Sequence, residues 1–366
     1  MRRLRGRLWN TSGFELSRSG SPGGPGALPS DHDTCHCGHD HGPRHIYIYS
    51  PSSAVRDKAA FRRGVKRLQA LGHEVEIDPD ALATHTRFAG DDATRLAAIG
   101  RAAASGADVA LITRGGYGIT RLLPDLPYRA LARAADKGTH FVGLSDFTAL
   151  QLALLAKTGA TTWAGPALLE GFGAADATDA GEGHGGHATA GGPDEIMLAC
   201  FDDLVSGVGE GTGWRLPAVD VAALGGHTGS LAHHAPLWGG NLAMVASLVG
   251  APYFPEVKGG VLFLEDVAEH PYRVERMLAQ LLHAGVLARQ KAIVLGQFTE
   301  YKLTPHDRGY SMKKVVDWLR GLLTRTPVLT GLPFGHVPTK VLLPVGAKVD
   351  LLVEERDALV LWGHMH

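Results

Sequence analysis

The sequence predicts an α/β protein with two successive α/β units, and three observations support this expectation. The chain has 366 residues, whereas an average domain has about 150. Apolar, strand-like runs alternate with amphipathic helical runs, which is typical of a mostly parallel sheet covered by helices. A tract rich in Gly, Ala, Asp and His at residues 171–194 has no apolar stripe and interrupts the alternation. We therefore expect two domains joined through a linker or insertion.

The first segment, residues 1–44, has a Gly-, Pro-, Ser- and His-rich composition that predicts a disordered extension. Its run DHDTCHCGHDH contains soft and borderline metal ligands, among them Cys35, His36, Cys37, His39 and His41. These ligands are crowded together with no folded spacer between them. Adventitious metal binding is therefore expected here rather than a structural or catalytic site. We expect the protein to need no metal and no other cofactor.

Residues 45–168 are predicted to form the first α/β domain. The domain opens with the β-rich run HIYIY, and AAFRRGVKRLQALG follows with helical spacing and a Gly near its end. A second helix is predicted at RLAAIGRAAASGA, and a buried strand at ADVALIT. The next strand, GTHFVGLS, runs directly into the helix DFTALQLALLAKTG. This order predicts strands that lie parallel in one sheet.

Residues 169–212 are expected to form a linker and insertion that includes the short helix EIMLACFDDLVSG. Residues 213–366 predict the second domain, which begins with a strand pair around WRLPAVDV and HTGSLAHHA and the helix GGNLAMVASLVG. Two buried strands, VKGGVLFLED and KAIVLGQFT, flank the amphipathic helix YRVERMLAQLLHAGVL. A last helix, MKKVVDWLRGLL, is followed by further strands.

Composition excludes several classes of protein. The chain has 36 Lys and Arg against 37 Asp and Glu, so its formal net charge of −1 gives no basic field for nucleic acid or an anionic membrane. No apolar run reaches the roughly 18–20 residues that span a bilayer. Only three cysteines occur, which predicts a reducing compartment, the cytoplasm. The sequence gives no oligomeric state, and a homodimer stays open.

A Gly-Gly-Tyr-Gly turn that includes Gly116 and Tyr117 directly follows the strand ADVALIT. Glycines at such a position let backbone N–H groups approach an anion or a developing oxyanion. The same residues are also compatible with a tight turn that has no further role, which is the more common case for such turns. The turn is not a dinucleotide-binding fingerprint, because it lacks the G-x-G-x-x-G spacing.

Ser145 lies where an apolar strand meets the start of a helix, in the run FVGLSDFTALQ. This is the position of a nucleophile elbow, where a hydroxyl is exposed at the carboxyl end of a strand. It is also the position of a helix N-cap, which Ser145 or Asp146 would provide. The residues alone leave both interpretations open.

A serine nucleophile needs a base and an acceptor that orients the base. Glu265 ends the apolar strand VLFLED, where a carboxylate can be presented at the carboxyl end of a sheet. His336 lies in the Gly- and Pro-bounded loop GLPFGHVPT, a suitable place for a mobile base. A surface carboxylate and a solvated loop histidine are the alternatives.

Taken together, these segments resemble the LD-carboxypeptidases of serine-peptidase type over residues 45–353. The resemblance rests on RGGYGITRLLPDL, GLSDFTALQLALLA, LWGGNLAMVASLVGAPY, FLEDVAEHPYRVERMLAQLLHAGVLARQKAIVLGQF and FGHVPTKVLLPVGA. It implies a C-terminal domain with a mixed sheet and an active site in the groove between the two domains. It also implies a catalytic triad of Ser145, Glu265 and His336.

The resemblance further implies release of the terminal D-alanine from murein tetrapeptides in peptidoglycan recycling, with a muropeptide as the substrate. The backbone N–H groups of Gly116 and Asp146 are the candidates for the oxyanion hole, and Tyr117, Trp238 and Asn241 are those for substrate contact. One alternative is a related peptidase that cleaves a peptide-nucleotide antibiotic for self-immunity. Another is a non-catalytic protein that senses muropeptides or binds metal. The tail and the tract 171–194 lie outside the family pattern.

Overall fold

The computed structural model describes residues 42–176 and 191–363. The metal-ligand candidates Cys35, His36, Cys37, His39 and His41 lie outside the described residues. So do nearly all of the N-terminal extension and most of the tract 171–194. The expectations for these segments stay predictions.

Within the described ranges the chain forms thirteen strands and nine α-helices. The strands are β1 (His45–Tyr49), β2 (Glu74–Ile77), β3 (Val109–Ile112), β4 (His140–Gly143), β5 (Thr162–Ala164), β6 (Gly211–Arg215), β7 (Gly229–Asn241), β8 (Val261–Val267), β9 (Ala292–Thr299), β10 (Val328–Thr330), β11 (Leu343–Val345), β12 (Lys348–Glu354) and β13 (Asp357–Leu361). The helices are α1 (Lys58–Ala70), α2 (Asp92–Ala104), α3 (Tyr128–Asp136), α4 (Phe147–Thr158), α5 (Glu195–Ser206), α6 (Ala218–Ala223), α7 (Leu242–Ser247), α8 (Pro271–His283) and α9 (Met312–Leu322).

The N-terminal sheet has six strands in the order β11-β5-β4-β3-β1-β2. Strands β1 to β5 run parallel, and helices connect them, as the alternation in the sequence predicts. The central strand β3 is buried along its whole length because helices cover both faces of the sheet. Parallel strands end at the same edge, so the turns after β3 and β4 lie side by side.

The C-terminal sheet has seven strands in the order β10-β9-β8-β7-β12-β13-β6. The neighbours from β7 to β10 are parallel, whereas β7, β12, β13 and β6 pair antiparallel. The sheet is therefore mixed, and the two-domain α/β fold with a mixed C-terminal domain is confirmed. The long strand β7 belongs to both halves, because its first part pairs with β12 and its last part with β8.

Helix α4 lies between the two sheets. Its residues from Phe147 to Leu154 are all buried, whereas a helix on the surface would carry a polar stripe. The helix contacts β5 of the N-terminal sheet and also β7 and α7 of the C-terminal domain. Because α4 begins two residues after Ser145, the candidate nucleophile lies at the junction between the domains.

The segment expected to be a linker, residues 169–212, is more than a connection. Helix α5 buries Met197 and Phe201 against Leu168 and Phe172 in the core of the N-terminal domain. The spacing of its apolar residues gives the helix one face that must be covered, and the nearest apolar surface is this core. The predicted strand pair around WRLPAVDV and HTGSLAHHA is wrong, because β6 pairs with β13 and residues 218–223 form α6.

A strand from the C-terminal part of the chain completes the N-terminal sheet. Strand β11 pairs antiparallel with β5, and Leu343 lies opposite Ala164. The division into domains at residues 45–168 and 213–366 therefore needs one correction, since β11 lies in the first sheet. None of the helices in the described ranges is long and apolar enough to cross a membrane.

Candidate active site

Ser145 occupies a strained turn between β4 and α4. Its φ angle is +64°, in the left-handed region that costs a non-glycine residue about 1 kcal/mol or more. The N-cap of α4 is Asp146, and that residue makes no side-chain cap hydrogen bond. A capping role does not explain this turn. A strained serine between a strand and a helix is the arrangement of a nucleophile elbow.

The glycine turn after β3 packs directly against this serine. A Cβ atom added to Gly115 would lie 2.8 Å from the Ser145 hydroxyl oxygen and 2.6 Å from its Cβ. Gly116 has a φ of +114°, and a Cβ there would lie 2.2 Å from the Ser53 hydroxyl oxygen. Only glycine therefore allows the backbone of this turn to come so close to Ser145. The interpretation as a mere tight turn does not account for this approach.

The Asp146 carboxylate joins the glycine turn to the serine turn. The side chain is buried, and its Oδ2 accepts hydrogen bonds from the Ser52 hydroxyl at 2.8 Å and from the Ile119 N–H at 2.9 Å. Burial raises the pKa of Asp146, although these hydrogen bonds oppose the rise. The sequence predicts for Asp146 either an oxyanion donor or a helix cap, and neither prediction includes this contact of its side chain with the glycine turn.

Glu265 and His336 form a hydrogen-bonded pair. The Nδ1 atom of His336 lies 2.8 Å from Oε2 of Glu265, which is fully buried at the end of β8. The His336 side chain is 19% exposed. Burial by itself lowers the pKa of His336, but the charge and hydrogen bond of Glu265 outweigh burial and raise it above the ordinary value of 6.5. The alternatives of a surface carboxylate and a solvated loop histidine do not fit this geometry.

Asn241 connects this pair to helix α4. Its Nδ2 donates to Oε1 of Glu265 at 3.2 Å and to Asp266 at 3.0 Å, and its backbone N–H donates to the Thr148 hydroxyl at 3.1 Å. Thr148 lies one helical turn after Ser145. The described contacts therefore run without a break from the serine turn to His336, so the structure brings the three triad candidates to one domain junction.

Two of the three residues expected to contact the substrate have other roles. Trp238 is fully buried, and its indole N–H donates to Gln290. Its ring therefore lies in the core, and its assignment to substrate contact is wrong. Asn241 is only 5% exposed, and its amide faces Glu265, which gives it a positioning role. Tyr117 is 40% exposed and packs against Phe88 beside the glycine turn, so it stays a candidate.

A second buried acid lies beside Glu265. Asp266 accepts hydrogen bonds from Asn241, from Ala243 and from the backbone N–H of Val267. Burial, together with repulsion from Glu265, raises its pKa to about 6.

Across the described ranges, no group of three or more His, Cys, Asp or Glu side chains could hold a metal ion.

Two family models match the chain. The N-terminal domain of LD-carboxypeptidases matches residues 46–165, and the C-terminal domain of LD-carboxypeptidases matches residues 234–351. The chain therefore belongs to the LD-carboxypeptidase family, and it is an enzyme of the serine-type hydrolase class.

Named relatives agree with this assignment. The murein tetrapeptide carboxypeptidase of Pseudomonas aeruginosa is 28% identical over 299 residues, which cover 80% of this chain and 87% of the relative. The crystal structure of muramoyltetrapeptide carboxypeptidase from Oxalobacter formigenes is 37% identical and has a TM-score of 0.72, with 86% of this chain and 97% of that chain covered. The microcin C7 self-immunity protein MccF has a TM-score of 0.72 at 22% identity, over 89% of this chain and 98% of its own, which shows a shared fold alone.

Proposed function

We propose that this protein is a serine carboxypeptidase that releases the terminal D-alanine from murein tetrapeptides by cleaving the bond after the L-centre of the third residue. The observation that supports this most is the contact series from the strained Ser145 through Thr148 and Asn241 to the Glu265–His336 pair. The relatives named for murein tetrapeptides supply the substrate class.

The first half of the reaction forms an acyl-enzyme. Glu265 accepts a hydrogen bond from Nδ1–H of His336, which leaves the lone pair of Nε2 as the base. Nε2 removes the proton of Ser145, and the serine oxygen attacks the carbonyl carbon of the scissile amide. When the C–N bond breaks, the same nitrogen of His336 returns the proton to the amine of the leaving D-alanine.

The oxyanion is stabilised by the N–H groups of Gly116 and Asp146. No carbonyl or side chain of the described residues accepts a hydrogen bond from either N–H, and the approach of the glycine turn to Ser145 supports this assignment. In the second half, His336 removes a proton from water, the water oxygen attacks the acyl carbon, and Ser145 leaves with the proton. The tripeptide acid is released.

We place this reaction in the cytoplasm, in the recycling of peptidoglycan fragments. The scarcity of cysteines supports a reducing compartment, and Cys200 is unpaired. A homodimer stays a proposal that sedimentation analysis would decide.

The test is incubation of the purified protein with a murein tetrapeptide and measurement of free D-alanine and tripeptide by mass spectrometry. We expect both products in equal amounts, and no product from Ser145→Ala. A peptidyl or aminoacyl nucleotide is the competing substrate. Cleavage of that compound with an intact tetrapeptide would overturn the proposal in favour of the self-immunity reaction. Binding of the tetrapeptide without cleavage would favour a sensor.

A further inference from the structure

We propose that Arg114 binds the terminal carboxylate of the peptide substrate and thereby limits the enzyme to removing a C-terminal residue. This inference rests on the proposed function, because it names the group that recognises the end of the substrate. The position of Arg114, its unpaired guanidinium group and the charges around it support the inference.

Arg114 lies one residue from the point of contact with the nucleophile. It follows Thr113, whose N–H donates to the carbonyl of Tyr49 at the end of β1, and it precedes Gly115, which approaches Ser145. Neighbouring Cα atoms are about 3.8 Å apart. The terminal carboxylate of a substrate is also about one residue length from the scissile carbonyl. Arg114 therefore lies on the same turn as the residue that contacts Ser145, next to the position that the end of the substrate would take.

The guanidinium group of Arg114 has no protein partner among the described residues. Its Nε atom is buried and makes no hydrogen bond, and no described carboxylate lies within ion-pair distance of the group. A buried N–H without a partner costs free energy. Arginine binds a carboxylate through two parallel N–H donors, and its Nε–H is commonly one of the two. A substrate carboxylate would therefore satisfy this N–H.

Glu170 is an acidic neighbour of Arg114, and it does not neutralise the guanidinium group. The N–H of Leu169 donates to the carbonyl of Thr113 at 3.0 Å. Glu170 follows Leu169 and Arg114 follows Thr113, so Glu170 and Arg114 are neighbours. Glu170 interacts electrostatically with Arg114, His336 and Lys340, yet it forms no ion pair with Arg114. Glu170 is exposed to solvent, so water screens its attraction for the arginine.

Lys340 is the other cation of this region, and it is not available to a ligand. Its side chain is 1% exposed, and its ammonium group donates to the carbonyl of Val337 in the loop after His336. Burial lowers the pKa of Lys340. Arg114 is only partly buried. It is therefore the cation of this cluster that a substrate can reach.

The experiment compares a murein tetrapeptide with a free terminal carboxylate and the same peptide with a terminal amide. The wild-type protein, Arg114→Met, Arg114→Lys and the control Arg129→Met are assayed with both peptides. Arg129 is exposed on α3 and provides the same substitution away from the site. A charge-assisted pair of this kind is worth about 10- to 100-fold in affinity. We expect the wild type and Arg129→Met to prefer the free acid by at least that factor.

In Arg114→Met, kcat/KM for the acid is expected to fall by about 10- to 100-fold, mainly through KM, while the rate with the amide changes little. The preference for the acid is then lost, and Arg114→Lys regains part of it. A preference that survives in Arg114→Met would overturn the inference, although the proposed function would stand. If the wild type cleaves neither peptide, the proposed function itself fails.

A folding defect is separated from a binding defect by calorimetry on catalytically silent protein. Ser145→Ala and the double variant with Arg114→Lys are titrated with the acid and the amide, and their melting temperatures are compared. The inference requires that Ser145→Ala binds the acid more tightly than the amide and that the double variant reduces this difference. Equal affinities in Ser145→Ala would contradict it.

Discussion

Replacing Glu265 by Gln tests the proposed triad most sharply, because both carboxylate oxygens act as acceptors. Oε2 accepts from His336, and Oε1 accepts from the amide of Asn241. A glutamine has only one acceptor oxygen. If its NH₂ group faces His336, the imidazole must take the other tautomer, and Nε2 no longer carries the lone pair. If it faces Asn241, two donors meet in a buried place.

The expected loss is about 10⁴-fold in kcat, the size known for the loss of the orienting carboxylate in a serine triad. The pH dependence of the rate provides an independent test of the Glu265–His336 pair. His336 must be neutral to act as a base, so the wild-type rate falls as the pH drops through its raised pKa, above 6.5. Glu265→Gln removes the charge that raises this pKa while burial remains. We expect the acid limb of the residual activity to move to lower pH.

The assay is release of D-alanine from a tetrapeptide between pH 5 and pH 9, with Glu256→Gln as the matched control, since Glu256 is exposed before β8. Melting temperatures measured alongside show whether the variant is folded. A folded Glu265→Gln variant that keeps kcat within 10-fold of the wild type, with an unmoved acid limb, would refute the role of the pair.

Four further outcomes are expected. Ser145→Ala removes turnover but keeps the melting temperature within a few degrees, because the hydroxyl caps no helix; retained turnover would refute a nucleophilic role. Asp146→Ala frees the glycine turn and is expected to lower kcat by about 10²–10³-fold, the usual cost of a displaced oxyanion donor. Asp146→Asn keeps an acceptor for the Ile119 N–H and is expected to keep most of the activity. Equal rates in both variants would count against a role for the bond between Asp146 and Ile119. Deletion of residues 1–43 is expected to leave turnover unchanged. Exhaustive chelation of the shortened protein is expected not to inhibit turnover. Activity that disappears on chelation and returns with zinc would contradict the serine mechanism.

Local pattern was enough to predict the α/β alternation and the turns that carry the site, because strand-to-helix junctions and glycine turns are local features. It could not decide whether Ser145 is a cap or a nucleophile, since that depends on a backbone angle and on the approach of Gly115 from another strand. Trp238 was misassigned for a related reason. A motif places the residue near the site, but the direction of an aromatic ring in a strand depends on the sheet on either side.

Contacts between distant segments also determine the role of the Asp146 side chain and the hydrogen bond from Asn241 to Glu265. Asn241 lies 24 positions from Glu265 and 93 from Thr148, and no periodicity within one segment encodes such contacts. The packing of α5 on the first domain is a partial exception. Its apolar face was visible in the sequence, but the surface that it covers was not.

The pairing of β11 with the N-terminal sheet has a consequence for the order in which the chain can fold. Strand β5 pairs on one side with β4 and on the other with β11, and about 180 residues separate β5 from β11 in the chain. During synthesis the first sheet therefore emerges with one edge of β5 unpaired, and an unpaired edge invites association with other chains. Pro344, at the centre of β11, has no N–H to offer to another strand. The same short strand that ties the two domains together thus also protects this edge of the sheet from association, and a fragment that stops at the first domain would lack this protection.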